Sequence, residues 1–245
     1  MRLRSTRSLW DPTYTDESWI GQAVQLIPTF RGWVNASYPG MKIAISEYNW
    51  GGLESINGAL AQADVLGIFG RERVDLAAIW APPTSAQPGA YAFRMYRNYD
   101  GHGGAFGDTS VRAVSADQGQ LAIYGAQRSN DGAVTLMVIN KTASDLTSSL
   151  ALSGFTPASS AQVYRYSAAN LSAIQPQAPV PVTATGFSMT YAANSLTLVV
   201  MARPLGPLPA PKPSGPPQVP PPAVLPAPRP TAPSVGIPDP LPSPR

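Results

Sequence analysis

The pattern of apolar and polar positions changes twice along the chain. Over residues 1–109 apolar positions recur at helical spacing around two short apolar runs. Over 110–203 they alternate in short segments, and beyond 204 neither pattern persists. Acids at Asp16 and Glu17 suit the first turn of a helix running to about Leu26. Pro28 opens a second helix, whose stripe of Phe30, Trp33, Val34 and Tyr38 should face a core, and Pro39-Gly40 stops it. Lys42–Glu47, carrying Ile43 and Ile45, is too short for a helix and reads as a buried strand. Leu53, Ile56, Leu60 and Ala63 fall on one helical face, giving a helix from about Leu53 to Phe69 with Gly70 at its C′ position. Leu76-Ala77-Ala78-Ile79-Trp80 is a second apolar run before Pro82-Pro83. Strand, helix and strand in this order make a βαβ unit with parallel strands. One more helix is predicted over 89–99, broken by Asp100-Gly101-His102-Gly103-Gly104.

From about Ser110 the spacing predicts strands. Leu121–Tyr124 is one, and Val134, Leu136 and Val138 alternate with Thr135 and Met137 in the next, with Asn130-Asp131-Gly132 as the hairpin between them. Further strands are predicted over 146–152, 162–166, 187–191 and 196–201. Six or seven strands of this kind suggest an antiparallel β-sandwich. Residues 204–245 hold 18 of the 28 prolines and read as an extended linker or tail. The expected organisation is therefore α/β plus all-β: a partial parallel α/β domain over 1–109, a sandwich over 110–203 and a Pro-rich tail over 204–245. Two parallel strands alone leave an open edge and an uncovered sheet face. Either another chain supplies the rest or, the preferred reading, this is the carboxyl-terminal piece of a longer protein.

Composition narrows the function classes. The 245 residues carry 17 basic and 14 acidic groups, a net charge of +3. Arg2, Arg4 and Arg7 form the one basic cluster in the sequence, which argues against nucleic acid as a partner. There is no cysteine, so disulfides and thiolate metal sites are excluded. No apolar run approaches a membrane span, and no apolar stretch follows the first arginines as in a signal peptide.

The chemistry concentrates at Glu47-Tyr48-Asn49-Trp50, followed by Gly51-Gly52. A strand that delivers such groups at its carboxyl end is how barrel enzymes present catalytic residues. Glu47 suits a nucleophile or general acid/base in glycoside hydrolysis, although a strand-end Glu is also a common partner for an Arg. Tyr48 and Asn49 could hydrogen-bond the carboxylate or a sugar hydroxyl. Trp50 and Trp80 at the strand ends, with Trp10 and Trp19 from the preceding loop, could stack on pyranose faces. Trp80 could equally be core. His102 is the only histidine, which argues against a serine-type triad or a His-rich metal site. Gly101–Gly107 lacks the Lys-Ser/Thr of a phosphate loop.

The segment Ile45-Ser46-Glu47-Tyr48-Asn49-Trp50-Gly51 resembles the nucleophile segment of glycoside hydrolase family 44. The segments at 4–12, 16–20, 59–71, 93–101 and 106–111 resemble others of that family in the same order, so that the likeness covers roughly residues 2–203. It implies a (β/α)₈ barrel of which about two strands are present, joined to a β-sandwich. It implies a secreted, retaining endo-β-1,4-glucanase acting on cellulose-type β-glucan or xyloglucan. Glu47 would be the nucleophile, and Trp10, Trp19, Tyr48, Asn49, Trp50 and Trp80 substrate-binding residues. No cofactor takes part in that chemistry; a structural metal is left open, and a monomer is expected. The family's acid/base Glu lies in an Asn-Glu-Pro segment, which this sequence lacks, so the chain alone is expected to be inactive. The alternative is a non-catalytic carbohydrate-binding or surface-displayed sandwich module, against which stands the lack of any Trp in residues 110–203.

Overall fold

A computed structural model describes residues 1–204, so the Pro-rich tail read from the sequence lies outside the described residues from 205 onward. Helix α1 (Arg2–Ser5), a 3₁₀ turn (Thr6–Leu9), α2 (Leu26–Ser37), β1 (Ala44–Tyr48), α3 (Ile56–Arg71), β2 (Leu76–Ile79) and α4 (Pro88–Arg97) come first. Eight strands follow: β3 (Thr109–Val111), β4 (Leu121–Gln127), β5 (Val134–Asn140), β6 (Leu146–Ala151), β7 (Ser160–Ser167), β8 (Asn170–Pro181), β9 (Gly186–Tyr191) and β10 (Ser195–Met201). β1 and β2 pair in parallel. β3-β4-β5-β10-β7-β8 form an antiparallel six-stranded sheet, and β6 pairs with β9. The result is a mixed α/β fold in which most regular structure is sheet.

The six-stranded sheet is covered on both faces. Tyr124, Met137, Ile139, Leu196, Leu198 and Tyr166 pack with α3 and α4 in one apolar cluster. Val134, Leu136, Val163, Val199 and Met201, on the alternate positions, pack with Leu150, Phe187 and Met189 of β6 and β9 in another. The central strands β5 and β10 are accordingly buried at every residue. Their near-continuous apolar sequences follow from that, because a strand buried on both faces has no solvent side to fill with polar residues.

Helix α3 is buried almost all round. Its small residues allow neighbours to approach closely: a Cβ on Gly67 would lie 2.3 Å from the Tyr124 ring, and one on Gly58 would lie 1.9 Å from the Gly52 carbonyl oxygen. Ser55 caps its amino end, accepting from the Gly58 amide at 3.2 Å. Asp64, near its middle, is almost wholly buried and pairs with Lys141 at 2.6 Å, whose side chain is as deeply buried. The Tyr124 hydroxyl donates to the other Asp64 oxygen at 2.7 Å. Lys141 also donates to the Gln118 carbonyl. Burial, and then the Asp64 charge, hold the Tyr124 phenol well above its ordinary pKa, so it remains a donor to the carboxylate.

Several elements differ from the sequence expectation. No helix forms over 16–26; its acids instead close turns, Asp16 accepting from the Ser18 amide and Glu17 bridging to Arg4. Trp33 is 62% exposed rather than in the core. Strands β1 and β2 are largely exposed rather than buried, with Leu76 58% exposed, because nothing among the described residues covers their outer side. Gly70 is inside α3, and the left-handed residue that follows the helix is Arg73. β8 was hidden by its prolines, Pro176, Pro179 and Pro181, which are tolerated because it is the edge strand of the sheet.

Lys141→Met should lower stability by about 3–5 kcal/mol, because it leaves Asp64 charged and buried without its partner. Joint replacement as Asp64→Leu, Tyr124→Phe and Lys141→Met should recover most of that loss in urea unfolding. Equal loss in the single and triple variants would show that the ionic network is not the source.

Candidate active site

The β1–β2 pairing contains a bulge: between Ile45 and Tyr48 β1 has two residues where β2, between Ala77 and Ile79, has one. A bulge re-aims side chains, and here it breaks the strict two-residue alternation. Ile45 and Tyr48 both join the cluster around α3, while Ser46 and Glu47 are exposed. Glu47 makes no ion pair among the described residues, so the common structural role of a strand-end Glu, pairing with an Arg, is not the one it has here.

Tyr48 is turned inward. Its hydroxyl accepts from Gln62 Nε2 of α3 at 2.8 Å, and its ring meets Phe69 edge-on at 5.1 Å. In this position it anchors the strand beneath Glu47. Asn49 Oδ1 accepts from the Gly51 amide at 2.8 Å. Gly51 and Gly52, with φ of 69° and 64°, turn the chain from strand to helix in the left-handed region that favours glycine. The Trp50 indole donates to Ser5 Oγ at 3.1 Å. Arg2 Nε donates to the Trp50 carbonyl at 3.0 Å, and Arg2 Nη1 donates to Asn57 Oδ1 at 2.8 Å. Arg2 therefore pins the loop after β1 to the first turn of α3. In the sequence Arg2 figured only as charge, and neither Gln62 nor Asn57 carried any signal of this role.

Asn49 and Trp50 line a cleft of about 560 Å³, together with Ser5, Ser8, Asp16 and Glu17. Trp80 ends β2 beside them: its amide donates to the Tyr48 carbonyl at 2.9 Å, and its side chain is 67% exposed. Glu47, Asn49, Trp50 and Trp80 are thus brought to the same carboxyl end of the parallel pair. Trp10 is not brought there: it lies against the Arg71 guanidinium, 4.1 Å from the ring centroid, in a separate groove. Trp19 is 93% exposed and does not itself line the cleft, although its neighbours Ser18 and Ile20 do.

Two acids in the cleft invite the role of proton donor, and neither is suited to it. Hydrogen bonding from Arg4 holds Glu17 down to about 2, and Tyr14 and the Arg4 charge add to this. Hydrogen bonds from the Ser18 and Ser8 hydroxyls lower Asp16. Both are anions at neutral pH, whereas a general acid must hold its proton near the operating pH.

No family model matches the chain. Endoglucanase A of Paenibacillus lautus is 35% identical over 171 residues, covering 67% of this chain and 24% of that protein. Beta-mannanase/endoglucanase A of Caldicellulosiruptor saccharolyticus is 37% identical over 155 residues, covering 57% of this chain and 12% of that one. Among solved structures, CelM2, a bifunctional glucanase-xylanase from a metagenome library, aligns with a TM-score of 0.79 at 49% identity over 82% of this chain and 39% of its own. A Paenibacillus polymyxa xyloglucanase from glycoside hydrolase family 44 aligns with a TM-score of 0.76 at 31% identity, over 82% and 41%. The chain thus spans about two fifths of these solved relatives and a quarter or less of the two curated ones.

Arg4→Ala should bring the Glu17 titration, followed by NMR of its side-chain carboxyl, from about 2 back toward the ordinary value near ~4.3. The sign follows: a depressed folded pKa gives a contribution present above the unfolded value and lost as pH falls from ~4.3 through about 2. In the unsubstituted protein the Glu17 turn should therefore keep its native chemical shifts at pH 4 and lose them near pH 2. An unmoved titration in Arg4→Ala would remove the Arg4 contact as its cause.

Proposed function

We propose, from the premise that this chain belongs to glycoside hydrolase family 44, that it carries the nucleophile half of a retaining endo-β-1,4-glucanase site. The observation that supports this best is Glu47 itself. It is an exposed carboxylate with no ion pair among the described residues, set at a bulge at the carboxyl end of a parallel strand, just before Asn49 and Trp50, which line a cleft. In this reading β1 and β2 are two strands of a (β/α)₈ barrel over 1–109, and 110–203 is a β-sandwich packed behind it. Polysaccharide would run across the strand ends, with Trp50 and Trp80 offering ring faces and Asn49 a hydrogen-bonding amide.

The ionised Glu47 would attack the anomeric carbon and displace the leaving oxygen, giving a glycosyl ester that water then hydrolyses. Retention needs a second carboxyl group about 5–5.5 Å away, first protonating the leaving oxygen and then activating water. Asp16 and Glu17 are both held ionised and are unsuited to that first step. Acid–base assistance is worth about 10²–10⁴-fold, and an unassembled barrel would cost more. The chain alone is therefore read as inactive on its substrates, cellulose-type β-glucan or xyloglucan, and as part of an extracellular enzyme. The carbohydrate-binding-module reading gains no support from the site, because all five tryptophans lie within residues 10–80.

The chain alone should release no reducing ends from soluble β-glucan or xyloglucan. Extended upstream by a family segment that includes Asn-Glu-Pro, it should hydrolyse them, and Glu47→Gln in that longer protein should reduce turnover to background. Turnover that survives Glu47→Gln would overturn the assignment of the nucleophile.

A further inference from the structure

A second groove, of about 1180 Å³, shares no lining residue with the Asn49–Trp50 cleft. It runs between the carboxyl ends of α3 and α4 and the β3–β4 region, and four arginines line it: Arg71, Arg73, Arg97 and Arg112. The sequence scatters these residues over more than forty positions, so no basic patch is visible there; the fold gathers them. Arg71 is already committed, to Glu72 at 2.8 Å and to the Trp10 ring. Arg73, Arg97 and Arg112 are exposed and form no ion pair among the described residues. Of the two acids in the lining, Glu72 is paired with Arg71, and Asp108, whose carboxylate is stabilised by hydrogen bonds from Ser129 and Thr109, remains an anion. Four arginines against two acids leave the groove with an excess of two positive charges.

A structural role accounts for part of this. Arg97 lies in the last turn of α4, where a cation complements the helix dipole. Arg73, in the left-handed turn that closes the carboxyl end of α3, is placed to do the same, whereas Arg112 follows β3 and serves no helix end. Between the arginines the groove presents half-buried aromatic surface, from Trp10, Phe93 and Phe106. Guanidinium forks match carboxylates in a way that neutral sugars do not require, and aromatic faces suit pyranose rings.

We propose that this groove is a secondary binding site for an acidic, uronate-bearing stretch of polysaccharide, separate from the site of cleavage. That the ligand is a glycan rests on the family reading above; that it is anionic rests on the groove.

Affinity electrophoresis and calorimetry of the chain against glucuronate-substituted xylan, and against the same polysaccharide with its carboxyl groups reduced to alcohols, test this. The acidic form should be retained and the reduced form should not. Arg97→Gln with Arg112→Gln should weaken binding by about 10- to 100-fold, as expected for loss of charged hydrogen bonds. Binding should also weaken steeply toward ~1 M salt, where the screening length is about 3 Å. Both residues are exposed, and an unchanged Tm and circular dichroism would confirm the fold; Arg97→Glu with Arg112→Glu should abolish binding altogether. Glu47→Gln should leave it untouched, so that loss of the nucleophile assignment and loss of this site give different results. Equal retention of the acidic and reduced polysaccharides would overturn the proposal. So would binding of heparin or DNA as tight as that of the uronate xylan with the same arginine dependence, which would mark a general polyanion surface.

Discussion

The interaction that sets how α3 sits on the six-stranded sheet is the buried contact of Asp64 with Lys141 and Tyr124. Taking a carboxylate and an ammonium out of water is costly, and the attraction between them repays it only with good geometry and satisfied remaining valences. Here one Asp64 oxygen takes the ammonium and the other the phenol, and the ammonium finds the Gln118 carbonyl as well. An arrangement of this kind has few alternatives. It fixes α3 in rotation and translation against β4 and β5, where apolar packing alone would tolerate small slips. The absent Cβ of Gly67 belongs to the same constraint, since any side chain there would move the helix off the Tyr124 ring.

The site inherits its position from that helix. Gln62 of α3 holds the Tyr48 hydroxyl, Asn57 of its first turn holds Arg2, and Arg2 holds the Trp50 carbonyl. Tyr96 of α4 donates to the Ala63 carbonyl one residue before Asp64, which ties the second helix to the same turn. The path from the six-stranded sheet to the strand-end loop is thus a short run of hydrogen bonds through one helix. The strand-end loop is held by a rigid scaffold while Glu47 and Asn49 stay exposed, the usual arrangement of a functional loop on a fixed frame.

What the sequence made legible follows the strength of each local signal. The βαβ unit, α4 and the strands at β4, β5, β6, β7, β9 and β10 stood out because apolar periodicity was strong and turn residues bounded it. β8 did not, because three prolines argue against a strand unless it is known to lie at an edge, and that is a property of the whole sheet. The helix expected over 16–26 failed because Asp16 and Glu17, good first-turn residues, are equally good at closing turns onto Ser18 and Arg4. At the site, Glu47 and Trp50 were visible as residue types at a strand end. The bulge that exposes Glu47 while burying Tyr48 was not, since the alternation rule assigns Tyr48 to the opposite face from Ile45.

The exposed face of β1 and β2 and the chemistry of the cleft point the same way. Leu76 and Trp80 leave most of their surface to water, and Trp33 on α2 does likewise, whereas the six-stranded sheet is covered on both faces. A parallel pair so exposed is unusual, because parallel sheets are ordinarily covered on both sides. The cleft next to the strand end points the same way: Glu47, the proposed nucleophile, precedes the lining residues Asn49 and Trp50, and the two acids that line the cleft are favoured as anions by Arg4, Ser8 and Ser18. The Arg4–Glu17 contact that closes this loop favours the anion of Glu17 as well. Under the proposed reading, the open side of the β1–β2 pair and the want of a proton donor have one remedy: further strands beside β1 and β2 whose carboxyl ends would deliver a second carboxyl group opposite Glu47.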